Sequence, residues 1–141
     1  MHKEIINPDT VVRPFSQVEL FKSLKPTFSQ AIKVRDAKTI VFISGQVAID
    51  SLGNIVGKGD AAAQTRQILE NIKAILEAAG GSIKDIVKVT VYLTDMEYFN
   101  DVHKIRMEYF KEDPPASTLV QVSKLVIPDL LVEIEAIAIT S

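Results

Sequence analysis

The spacing of apolar positions changes along this chain, and each change marks an element. Ile68, Leu69, Ile72, Ile75, Leu76 and Ala79 recur at intervals of three and four. That is one stripe of a 3.6-residue period, and it predicts a helix from a cap at Asp60 to about Ala79. Gly80-Gly81 stops it, as a left-handed C-terminal cap does. Glu70, Lys73 and Glu77 fall off the stripe and read as its solvated face. The run IVKVTVYLTD, 86–95, alternates and is rich in β-branched residues, so it predicts a strand. A second helix is expected from about Glu97 to Phe110, ended by the EDPP that follows.

The remaining runs predict strands. AIKVRDAKTIVFISG, 31–45, reads as a hairpin turning at Asp36 to Lys38. Its second half, TIVFIS, is nearly continuously apolar and is expected to be buried on both faces. STLVQVSKL and LLVEIEAIAIT close the chain. In the last, Val132, Ile134, Ala136 and Ala138 share one face; Glu133, Glu135, Ile137 and Ile139 share the other. Two carboxylates beside two isoleucines make neither a solvent face nor a core face. Another subunit is the expected neighbour. Residues 1–25 carry Pro8 and Pro14 and no clean period, and read as an irregular arm. The order is ββ(β)αβαββ, an α+β layer with helices on one side of a mixed sheet, in one domain over 1–141.

Composition narrows the chemistry. There is no cysteine, which excludes disulfides, thiolate metal sites and a cysteine nucleophile. The only histidines are His2, in the arm, and His103, too few for a zinc site of the usual kind. The net charge is −2 and the basic residues are scattered, which argues against a nucleic-acid groove. MHKEIINPDT is too polar for a signal peptide, and no run of about 18 apolar residues offers a membrane span. A cytoplasmic protein with no membrane partner is the expectation.

Several stretches carry a resemblance. FISGQVAID, GDAAAQTRQILENIKAILEAAG, DIVKVTVYLTDM, the Pro-Pro-Ala before a strand, and LLVEIEAIAI together resemble the RidA/YjgF family, also catalogued as endoribonuclease L-PSP. The likeness runs in order from about Phe28 to the C-terminus. It implies a chorismate-mutase-like fold, a homotrimer, and a cleft for a small ligand at each subunit interface. The activity it implies is hydrolysis of reactive enamines and imines, such as 2-aminoacrylate, to a keto acid and ammonia, with no metal or organic cofactor. In the active group an arginine after Pro-Ala grips the substrate carboxylate, as a planar guanidinium can through two parallel hydrogen bonds.

Here that position is Ser117, which offers no charge. His103 stands where the family has an asparagine, Arg106 where it has a tyrosine, and Phe28 where it has another tyrosine. Two family positions are kept: Gly45, and the last-strand glutamate, Glu133. Glu133 is the implied water-activating group, against a structural acid bonded across the trimer. His103 is a candidate proton shuttle or cleft wall, against a packing or surface histidine. Arg106 is a candidate replacement cation, against the favoured reading of a solvated arginine paired with Glu97 or Asp101. Phe28, Ser44, Gly45, Ser117, Thr118 and Leu119 are the remaining candidate lining. Neither Ser117 nor Thr118 sits in a triad order, so a covalent role is poorly supported. Three functions follow: an imine or enamine deaminase with altered substrate preference, a non-catalytic metabolite-binding trimer, and, weakly, a ribonuclease.

Overall fold

The computed structural model describes residues 1–10 and 27–140. Among the described residues six strands and two α-helices run in the order β1 His2–Ile6, β2 Ala31–Arg35, β3 Thr39–Gln46, α1 Ala61–Ala78, β4 Ile86–Leu93, α2 Phe99–Tyr109, β5 Ala116–Gln121 and β6 Val132–Thr140. The main sheet has the order β3-β6-β4-β5. β4 and β5 are parallel and are joined through α2; the other pairs are antiparallel.

Both helices lie on one face of this sheet. α1 packs on β6, β3 and α2. Its stripe is buried at Ile68, Leu69, Ile72 and Leu76, against Val89, Val91, Val132, Ile134, Ala136 and Ala138 of the sheet. Asp60 caps α1, its carboxylate accepting from the Ala63 amide at 3.0 Å. Gly80 follows at φ 81, the left-handed turn that only glycine takes without strain. Gln64 is buried for a different reason. Its amide donates to the Gly57 and Asp129 carbonyls and accepts from the Leu131 amide, tying two loops to the helix.

The expected β2–β3 hairpin is not formed. β2 pairs with β1, from His2 opposite Arg35 to Ile6 opposite Ala31, while β3 pairs with β6. Alternation marks a strand but not its partner, and Asp36 at φ 56 turns the chain between the two. Residues 2–6 of the supposed irregular arm are thus a strand and residues 7–10 are irregular, while 11–25 lie outside the described residues. β3 is not buried on both faces. It is an edge strand of the main sheet, and Phe42 on it is 75% exposed. The second helix is preceded by a 3₁₀ turn at Met96–Tyr98, capped by Asp95.

The sheet face away from the helices holds Ile40, Phe42, Ile137, Ile139 and Val120, with Lys88, Thr90, Tyr92, Glu133 and Glu135 among them. No described helix is long and apolar enough to cross a membrane.

Candidate functional site

α2 buries a half-polar face: Val102 and Ile105, but also His103 and Arg106. Arg106 is only 3% exposed. Its Nη2 donates to Ser117 Oγ at 2.9 Å and, at 3.5 Å, to the Thr27 carbonyl. Its Nε is buried and has no hydrogen-bond partner among the described residues. Among the described residues no carboxylate pairs with it, and burial depresses its pKa to about 10. The favoured expectation of a solvated arginine paired with Glu97 or Asp101 is therefore overturned. The cation stands against the Ser117 hydroxyl.

His103 lies beside it, buried, with Nδ1 3.4 Å from Thr27 Oγ1 and its ring stacked 5.5 Å from that of Phe99. This is a packed histidine facing the same group of atoms. The residues from Thr27 to Ser29 run alongside the edge strand β5 in parallel. Ser29 bridges Ala116, its amide donating to the Pro115 carbonyl at 2.9 Å. Phe28, half-buried, lies between them. Arg106, Ser117 and His103 are thus brought together around Thr27.

Gly45 and Glu133 form a second group. The β3–β6 register shifts between Ile43 and Gln46, one extra residue falling on β3. This bulge at Ser44-Gly45 lays the backbone against Glu133. A methyl group on Gly45 would lie 2.8 Å from the Glu133 carboxyl carbon, so any side chain there would push that carboxylate aside. Ser44 is exposed beside it.

Glu133 belongs to the open face and Arg106 to the helix side, so one chain does not bring the two groups together. Thr118 is also on the open face, and Leu119 packs against the core.

One residue here went unnoticed in the sequence. Lys88 Nζ donates to Thr118 Oγ1 at 3.0 Å and to the Val89 carbonyl at 2.9 Å. Burial lowers its pKa; Glu135 opposes this and the Arg106 charge adds to it. Beside it Tyr92 donates to Glu135. The available signal was a lysine among the β-branched and aromatic residues of this strand, at a position that alternation puts on the open face. A cavity of about 310 Å³ opens between Lys3, Ile83, Tyr109 and Lys111, but no candidate residue lines it. Among the described residues no cluster of His, Asp and Glu could hold a metal ion.

The family model described as Endoribonuclease L-PSP matches residues 22–140. A RutC family protein of Pyrococcus horikoshii is 54% identical over 111 residues, 79% of this chain and 85% of that protein. A 3-aminoacrylate deaminase RutC of Acinetobacter baylyi is 38% identical over 138 residues, 98% of each. Among solved structures, YyfB of Yersinia pestis, a Rid-family protein of unknown function, superposes with a TM-score of 0.83 at 32% identity. That match covers 99% of this chain and 100% of YyfB.

Proposed function

This chain belongs to the Endoribonuclease L-PSP family, the RidA/YjgF proteins, and from that premise we propose that it hydrolyses small imines or enamines. The observation that carries this reading is Glu133 held against Gly45. The carboxylate shares its strand face with Glu135, Ile137 and Ile139 and fits against a backbone kept bare of a side chain at Gly45, which sets its position on the open face.

The reaction balances with water alone. Glu133 takes a proton from water as its oxygen adds to the C=N carbon. The nitrogen is protonated, the C–N bond breaks, and ammonia leaves a C=O group behind. An enamine first takes a proton on carbon to become the imine. His103 and Ser117 shape the other wall. Support for deaminase chemistry also comes from the A. baylyi relative named for it, alike over nearly its whole length.

The substrate preference is set apart by Ser117. A serine cannot replace a charge-assisted pair worth about 1.5–3 kcal/mol. 2-Aminoacrylate held from the strand side should therefore bind poorly. The working form is a homotrimer in the cytoplasm. Supporting the trimer are Ile40, Phe42 and Val120, exposed on the open face. Glu133 and Arg106 face different ways in one chain, which a site between copies would reconcile.

The test is a coupled assay that generates 2-aminoacrylate and follows keto acid and ammonia, with a panel of larger imines beside it. Ammonia release with at least one imine, lost in Glu133→Gln, supports the reading. No release with any of them, from protein that still binds the corresponding keto acids, favours the metabolite-binding trimer, for which the absent strand arginine already speaks.

A further inference from the structure

A guanidinium sealed from water with no counter-charge is an expensive arrangement. Burying an unpaired ion costs several kcal/mol even after relaxation. Arg106 carries that cost: it is 3% exposed, faces no carboxylate among the described residues, and leaves Nε–H unused. Its two hydrogen bonds go to neutral oxygens, and both come from the same nitrogen. The Ser117 contact is well formed at 2.9 Å; the Thr27 carbonyl at 3.5 Å is at the limit of a hydrogen bond. A carboxylate binds a guanidinium side-on through Nε–H and one Nη2–H. Those are the idle donor and the weakly used one.

We propose that Arg106 is the anion anchor of this protein, taking the carboxylate of a short 2-oxo or 2-imino acid through Nε and Nη2, with the Thr27 carbonyl giving way to a ligand oxygen. Ser117 then becomes a positioning residue. Its hydroxyl holds Nη2 and aims the fork, and an arginine there would crowd and repel Arg106. A ligand would have to enter along β5, the edge of the sheet. There the segment from Thr27 is fastened to the sheet by the Ser29–Ala116 bridge. This inference names the carboxylate end of the ligand in the deaminase reading, and rests on that reading for the imine but not for the anion.

The test is binding of pyruvate, an unreactive carboxylate of the right class, against methyl pyruvate, which lacks the charge. The wild-type trimer or monomer, as it exists, is titrated calorimetrically and by NMR of the arginine Nε–H signals. Pyruvate is expected to bind, to exceed methyl pyruvate by roughly ten- to a hundred-fold, and to shift one slowly exchanging Nε–H signal. Arg106→Met should abolish that preference and remove the signal. Arg106→Tyr combined with Ser117→Arg should move the cation to the strand and restore the preference. No discrimination between the two probes by the wild type overturns the proposal, as does unchanged pyruvate affinity in Arg106→Met. If Arg106→Met does not fold, the wild-type Nε–H response decides alone, and its absence at saturating pyruvate overturns the proposal. Ammonia release separates the two readings. Release undiminished in Arg106→Met removes the anchor and leaves the deaminase; pyruvate binding without release from any imine does the reverse.

Discussion

Gly45 and Glu133 occupy one space: a β-carbon on the glycine would stand 2.8 Å from the carboxyl carbon of the glutamate. Gly45 has no left-handed backbone to excuse it, so its role is spatial. Gly45→Ala should therefore leave the fold intact and displace the Glu133 carboxylate. Displacement of a catalytic group by about an ångström can cost on the order of a hundred-fold in rate. The expected outcome is a fall in imine turnover of roughly ten- to a hundred-fold with an unchanged circular dichroism spectrum. Turnover at the wild-type rate would show that the two are merely neighbours.

Glu133→Gln keeps the shape of the side chain and removes its basicity. General base catalysis typically contributes about 10² to 10⁴ in rate. Turnover should fall by that amount while pyruvate affinity, measured by calorimetry, stays within about twofold, since the carboxylate is assigned to the water and not to the ligand anion. A parallel loss of affinity would instead make Glu133 part of the binding surface.

How far these groups could be read in the sequence depended on the kind of physics that placed them. α1, β4 and β6 were legible because their stripes are dictated by burial on one face, and Ile68, Val89 and Ile134 lie where periodicity puts them. The partner of β2 was not legible, because a strand's alternation fits any neighbour of matching pattern. β3 misled for a related reason: apolar residues facing a prospective subunit read the same as apolar residues in a core. Gly45 and Glu133 were nameable through resemblance, but their contact follows from a bulge that no residue pattern announces. Arg106 was weighed as a solvated side chain because helix arginines usually are. Nothing local in the sequence shows that the segment from Thr27 covers it.

Phe42 projects from the open sheet face with 75% of its surface exposed, beside Ile40 on the same strand face. Burying a phenylalanine stabilises by about 1.5–3 kcal/mol, and each copy in a symmetric assembly would contribute that again. Phe42→Lys places a charge in the same position and should shift the assembly toward monomer by at least tenfold in dissociation constant. Sedimentation velocity at micromolar concentration measures it. An oligomer of unchanged mass and affinity would move the interface to another surface.

Tyr109 closes the helix pair: its hydroxyl donates to Glu70 Oε2 at 2.7 Å, linking α2 to α1. Burial first, then the Glu70 hydrogen bond and charge, push its pKa up to about 12. The unfolded phenol ionises near 10. A folded pKa above the unfolded one means that the native state holds its proton longer. The contribution to stability is whole below pH 10 and drains away as pH rises toward 12. Tyr109→Phe lacks both the hydrogen bond and the titration. It should be destabilised at pH 8 by a few tenths to about 1 kcal/mol. The gap to wild type should narrow steadily between about pH 10 and pH 12. Arg106 titrates near the same range with the opposite sign, since burial lowers its pKa, but it is present in both proteins and cancels in the difference. Urea unfolding of the two proteins at a series of pH values measures the gap. A gap constant across that window would mean that the phenol is solvated and that the tie to Glu70 does not hold the helices.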